Sequence, residues 1–259
     1  MFKKYGAAVL ALLLAACGAP QPRQQAPPAP TAPEAAPPAK ALPPAPAKLP
    51  TPVPAKPPPP APTKPPAAAG KAYRIDPAHS ELRLLVYRSG AMASLGHNHV
   101  IVNRALSGWV ADPGGSAAPS FLLHIPVAEF VMDDAALRRE EGADFADAVP
   151  EDAKAGTVHN MLSAGLLNAA QFPAVMVCSV AIRGTDTARE ATLAVNVAGH
   201  ESTLVAPFTV ASSQGSLTAS GTLNLRQSDL GLTPFSVMLG ALKVQDGLRV
   251  KFKIVAVAD

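Results

Sequence analysis

Leu248-Arg249-Val250-Lys251-Phe252-Lys253-Ile254-Val255-Ala256 carries an apolar side chain at every second position, with Arg249, Lys251 and Lys253 between. Successive side chains of a strand point to opposite faces, so a period of two marks a strand with one buried face. Leu82, Leu84 and Val86 repeat the pattern against Glu81, Arg83 and Leu85. Further strands are predicted near 99–111, 120–131, 173–183, 190–199, 202–211 and 215–226, bounded by turn-forming runs such as Asp112-Pro113-Gly114-Gly115 and Gln214-Gly215. Between 133 and 170 the period changes. Val158, Met161, Leu162, Gly165, Leu166 and Ala169 recur at helical spacing, after Pro150 with Glu151 and Asp152 in a first turn. This predicts an amphipathic helix across one side. The expected fold is mainly β: an eight-stranded antiparallel barrel with one or two short helices, because closure removes the sheet edges that a meander otherwise exposes.

The remainder of the chain reads differently. Lys3 and Lys4, an apolar core from about Ala7 to Leu14, and Leu14-Ala15-Ala16-Cys17 resemble a bacterial lipoprotein signal and lipobox over residues 1–17. The apolar core is about half of the ~20 residues that span a bilayer, so it is read as removed rather than retained. Cys17 is then the expected lipid anchor, several acyl carbons holding the mature chain to a membrane. Gly18, where inner-membrane lipoproteins typically carry Asp, points toward the outer membrane of a bacterial cell envelope, facing the periplasm. Residues 18–70 hold most of the 29 prolines. Proline fixes φ and removes donors, so this is a tether of polyproline type that reaches on the order of 150 Å when extended. Lys40, Lys48, Lys56 and Lys64 recur along it and keep it soluble and extended.

The net charge of +3 comes from the leading segments, because residues 71–259 carry 15 Lys and Arg against 18 Asp and Glu. No basic stripe with interleaved aromatics exists, so nucleic acid is not an expected partner. Cys178 has no second cysteine to pair with once Cys17 is acylated, and the 71–259 domain must rest on its apolar core. Among Val175, Met176, Val177 and Val180 it reads as an inert buried thiol.

Catalytic signatures are missing: there is no Gly-x-Ser-x-Gly elbow, phosphate-binding glycine loop, Cys-x-x-Cys or paired acidic motif. Asp133 and Asp134, with Glu140 and Glu141, read as the solvated start and side of a short helix. His97 and His99 stand out, since side chains two apart on an extended segment share a face. They supply half of a zinc site, for which His79 or His159 would have to bring a third ligand. They serve equally as a polar cap over a ligand headgroup, or as a structural pair beside Gly96.

Tyr73, Ile75-Asp76 and His79-Ser80, then Leu167-Asn168-Ala169-Ala170-Gln171-Phe172-Pro173, then Asp229-Leu230-Gly231-Leu232 and the Asp246-Gly247 turn occur in the order and spacing of the YceI-like domain, which 72–258 resembles. The resemblance implies a lipocalin-like barrel holding a polyisoprenoid in an apolar interior. Ser94-Leu95-Gly96-His97-Asn98-His99 departs from the family pattern of a single His near a Gly-rich turn. From the alternation, the expected lining is Leu82, Leu84, Val86, Met176, Cys178, Val180, Phe208, Leu223 and Phe252, with His97 and His99 at the mouth. With Trp109 the only tryptophan, Leu, Val, Ala and Met are expected to dominate that lining, which suits an isoprenoid or other lipid tail better than a planar ring. The expected protein is therefore a membrane-tethered binder of an apolar ligand, without cofactor or catalytic function and with no protein partner indicated. Two other readings stand beside it: a metal-binding or metal-dependent envelope enzyme using His97 and His99, and a structural or stress lipoprotein whose barrel is filled by its own side chains.

Overall fold

The period-two segments form strands. The computed structural model describes residues 70–113, 119–185 and 187–258. The segment read as a signal, with Cys17, and the stretch read as a tether up to residue 69 lie outside the described residues. The strands are β1 (Lys71–Ile75), β2 (Glu81–Ser89), β3 (His99–Asn103), β4 (Ser107–Asp112), β5 (Ser120–Pro126), β6 (Val131–Met132), β7 (Ala174–Thr185), β8 (Ala188–Val197), β9 (His200–Ser213), β10 (Ser216–Arg226), β11 (Ser236–Val237) and β12 (Leu242–Ala258). Two helices, α1 (Ala135–Glu140) and α2 (Glu151–Leu162), lie between β6 and β7.

These strands trace an eight-stranded barrel, because three of its strands are each broken once. β1 and β2 both lie along β12, β4 and β3 lie along β1 and β2, and β5 and β6 lie along β4 and β3. β7, β8, β9, β10 and β12 follow in sequence order, and Tyr73–Ile75 pair with Ala256–Ala258 to close the ring. Every pairing is antiparallel. The three breaks lie side by side and make a crease in the wall. Buried polar side chains bridge it: Asn103 Nδ2 donates to the Pro126 carbonyl at 2.8 Å and its Oδ1 accepts from Ala105 N–H at 2.9 Å, while Ser80 Oγ accepts from Val255 N–H at 2.9 Å. Each replaces a ladder bond that the break removes.

Tight hairpins join the later strands. Ala198 and Gly199 (φ 49° and 81°) connect β8 to β9, and Gln214 and Gly215 (φ 38° and 86°) connect β9 to β10. Two successive positive φ values match the right-handed twist of the flanking strands, and glycine takes the second place in both loops.

Outside the barrel, α1 and the turn after it cover β2 and β3. Leu85, Val100, Val102, Leu137 and Phe145 form a small external core there. Arg83 donates to Glu140 at 2.9 Å and Glu141 at 2.7 Å, and Lys251 donates to Glu141 at 2.5 Å. Glu141 is therefore not a solvated helix residue: its side chain is 3% exposed. Burial alone would raise its carboxyl pKa, but the bonds from Lys251 and Arg83 hold it below the usual value. The helical period is also shorter than expected. α2 ends at Leu162, where Ser163 Oγ donates to the Asn160 carbonyl at 2.8 Å, and Leu166, Leu167 and Ala169 continue the apolar side through turns. Asn168, at φ 46°, reverses the chain toward β7.

Two glycines give opposite outcomes on substitution by alanine. At Gly199 a Cβ would meet the Phe172 ring at 2.6 Å on a left-handed backbone, so Gly199→Ala is expected to destabilise by about 2–4 kcal/mol. At Gly156, inside α2, a Cβ meets nothing within 4 Å, so Gly156→Ala is expected to stabilise by up to about 1 kcal/mol. Urea denaturation of both variants checks the pair.

Candidate ligand-binding site

The inner faces of the strands enclose a cavity of about 1060 Å³ rather than a filled core. On β8 the inward residues are Ala191, Leu193, Val195 and Val197; on β12 they are Leu248, Val250, Phe252, Ile254 and Ala256. Each set is the alternate-residue face that the period of two implies. Five phenylalanines, Phe121, Phe130, Phe208, Phe235 and Phe252, also border the space, more aromatic surface than the composition suggested. One end of the barrel carries Asp112, Ser120, Thr185 and Ala188 and the 213–216 turn. The other carries α2, the β11–β12 hairpin and the 90–98 segment, and from there Thr157, Asn160, Met161, Gly96, His97 and Leu242 reach the cavity.

Leu82, Leu84, Val86, Phe208, Leu223, Phe252, His97 and His99 all border the cavity, as their alternation predicts. Met176, Cys178 and Val180 do not, and the expectation for them is corrected. On β7 the inward residues are Val175 and Val177; a bulge between Ser179 and Ala181 then shifts the face, so that Ile182 follows. Val180 is the extra residue and is 63% exposed. Met176 and Cys178 pack outside with Trp109, Ala111 and Leu122. Both faces of this stretch are apolar, which erased the signal that fixes register elsewhere. Partial burial raises the Cys178 thiol pKa, in keeping with an unreactive group.

The mouth is organised by a buried carboxylate. Asp133 follows β6 in a left-handed conformation (φ 53°), which turns its side chain into the wall. Its Oδ1 accepts from Val100 N–H at 2.9 Å and from Arg138 Nη1 at 2.5 Å, and its Oδ2 lies 2.6 Å from His99 Nδ1. Arg138 also donates to the carbonyls of Asn98 at 2.7 Å and Asp147 at 2.8 Å. Burial by itself would raise the Asp133 pKa, but the bonds from His99, Val100 and Arg138 bring it below the usual carboxylate range. An ionised Asp133 makes Nδ1 of His99 the donor and aims Nε2 at the cavity wall, 3.5 Å from Thr157 Oγ1, whose hydroxyl donates to the Ala153 carbonyl at 2.9 Å. Asn98, between the two histidines, accepts from Arg88 N–H at 2.9 Å and donates to the Asp144 carbonyl at 2.8 Å. The rings of His97 and His99 thus stand 6.3 Å apart at the same mouth.

The other two histidines considered as zinc ligands are elsewhere. His79 sits beside Asp76 at 2.7 Å, at the far side of β2, and its side chain is 71% exposed; His159 is exposed on α2. Among the described residues no group of three or more His, Cys, Asp or Glu is placed to hold a metal ion. Sequence reasoning missed Asp133, expecting it in solvent with Asp134. Only Asp134 caps α1, accepting from Ala136 and Leu137 N–H at 2.9 and 3.1 Å. A helix start needs one such cap, so the second Asp of the doublet was the available signal.

A family model described as the YceI-like domain matches residues 73–256. Among solved structures, Burkholderia cenocepacia BcnA is similar with a TM-score of 0.52 and 19% identity over 70% of this chain and 98% of that one, a likeness of fold. A polyisoprenoid binding domain from Saccharophagus degradans implicated in plant cell wall breakdown gives 0.49 and 14% over 73% and 99%. The Campylobacter jejuni YCEI protein gives 0.42 and 11% over 60% and 81%. No curated protein matches the chain.

Asp133→Asn leaves Arg138 buried without its counter-charge and is expected to cost about 3–5 kcal/mol of stability. The sign with pH follows from the lowered folded-state pKa: the carboxylate's contribution is complete above the ordinary value of 3.8 and is lost as pH falls through the lower folded value. Denaturation of parent and variant from pH 7 to pH 2 should therefore show a constant gap that narrows only below about pH 4.

Proposed function

We propose, from the premise that the chain belongs to the YceI-like domain family, that its barrel holds one long apolar molecule, a polyisoprenoid or a similar lipid tail, with the polar end at His97 and His99. The observation that carries this reading is the continuous apolar cavity. Its 1060 Å³ is at the top of the roughly 300–1,000 Å³ range of small-molecule sites. The lining is mostly Leu, Val, Ile, Ala and Phe, with polar groups such as His97, Asn160, Arg183 and Arg189 among the rest, and such a wall binds chiefly by area rather than by directed bonds. His99 Nε2, aimed at the cavity wall by the Asp133 bond to Nδ1, offers a polar contact to the headgroup. Binding is what this apolar enclosure supports.

We further infer that the protein works at a bacterial envelope membrane, anchored through Cys17, with residues 18–70 as spacer. The lipobox-like run and Gly18 support an outer-membrane, periplasm-facing position.

Organic extracts of protein purified from its native host should contain a long-chain apolar molecule near one per barrel by mass spectrometry. An empty extract, together with no thermal shift on adding a long prenol, would sink the reading. Ala219→Phe, which fills part of the cavity, should select shorter tails while keeping the fold. Leu193→Asp should abolish binding, while Val180→Asp, on the outer face, should stay within about 0.5 kcal/mol of the parent and bind normally. In a cell fractionation, Cys17→Ser should move the protein from the membrane to the soluble envelope fraction.

A further inference from the structure

The β11–β12 hairpin ends in two large apolar residues that face away from the protein. Leu239 is fully exposed and Met238 60% exposed. Both have left-handed backbones, at φ 52° for Met238 and 55° for Leu239, a conformation that bulky side chains seldom adopt and that hairpin tips ordinarily assign to Gly, Asn or Asp. Leu95, 63% exposed, is on the neighbouring 90–98 segment, which Met92 N–H ties to the Ala241 carbonyl at 2.8 Å. Three exposed apolar side chains on two bonded loops make one rim.

The rim is continuous with the mouth of the cavity. Phe235, at the base of the hairpin, accepts from Val244 N–H at 2.9 Å through its carbonyl, and Phe235, Leu242, Val244 and Gly96 all border the cavity. A long tail has no favourable route through water, since each methylene exposed costs about 0.8 kcal/mol. A path from a bilayer to the lumen that stays against apolar side chains avoids that cost. Lys71, the first residue of β1, lies opposite Asp112 at the other end of the barrel from the rim.

We propose that this rim docks on a lipid bilayer, with Leu95, Met238 and Leu239 inserted among the lipids, and that the cavity loads and unloads its tail there. The inference rests on the tail-binding reading above. It assigns to the strained hairpin tip a partner, the acyl region of a membrane, and makes the end with His97 and His99 the one that faces it.

The test places an environment-sensitive fluorophore at Leu239→Cys or, as a control on the barrel wall, at Val205→Cys, each in the full chain carrying Cys17→Ser and Cys178→Ala. Vesicles of phosphatidylethanolamine and phosphatidylglycerol should shift the emission of the first label to the blue and leave the second unchanged. Equal responses at both positions, or none at either, would overturn the proposal. So would a blue shift without vesicles that grows with protein concentration, since a second copy would then cover the rim. In the full chain, the double variant Met238→Asp/Leu239→Asp should take up a dansyl-labelled prenol from vesicles at least about tenfold more slowly than the parent, and at the parent's rate from cyclodextrin. Slowing by both routes would mean that the hairpin shapes the cavity instead, against the proposal. A blue shift at position 239 with no prenol uptake by either route would leave the docking intact and remove the tail-binding reading, so the two can fail separately.

Discussion

Closure of the sheet is the constraint from which the other properties follow. β12 runs for 17 residues and is paired on both sides, with β10 along one edge and with β2 and then β1 along the other. Without the Tyr73–Ile75 contact to Ala256–Ala258 the sheet would keep two exposed edges and its apolar face would have nothing to enclose. With it, alternate residues become an interior by geometry. Eight strands give a lumen just wide enough for side chains or one slender guest. Here the short inward residues Ala191, Ala206, Ala219 and Ala256 leave the space open.

That constraint also explains what could be read in advance. Strands whose outer face is largely polar announce themselves: the alternation named Leu82, Leu84 and Val86 on β2, Leu223 on β10 and Phe252 on β12, all of which border the cavity. Met176, Cys178 and Val180 were assigned to the wrong face because β7 has apolar neighbours outside as well, in Trp109 and Leu122, and because a bulge changes the face midway. Alternation cannot report a bulge when both parities are apolar. The breaks after Ile75, Asn103 and Pro126 were equally silent, since they are defined by side-chain bonds to distant backbone.

The mouth was legible only in outline. His97 and His99 were recognised as a pair on one face, but what organises them is Asp133, 34 residues away from His99. Its role depends on a strand end, a left-handed turn and the arrival of Arg138, none of which leaves a pattern in sequence. Polar contacts of this kind are matters of three-dimensional placement, whereas apolar faces are periodic. Hence the body of the cavity could be foreseen and the chemistry of its opening could not.

The crease has a dynamic consequence. β7 to β10 each run as one strand, with a single bulge at Val180, and β8 is paired over nearly its whole length with β7 on one side and β9 on the other, so that opening one of its amides means loosening its neighbours. At 76–80, 104–106 and 127–130 the ladder is interrupted on three adjacent strands at once, and single side chains, Asn103 and Ser80, stand in for it. Backbone amides beside the crease can therefore exchange with solvent through small local openings, while those of the far wall wait for the whole barrel to unfold. The molecule is in this sense two walls of unequal stiffness, and any change in girth that a thicker guest demands is taken up on the creased side.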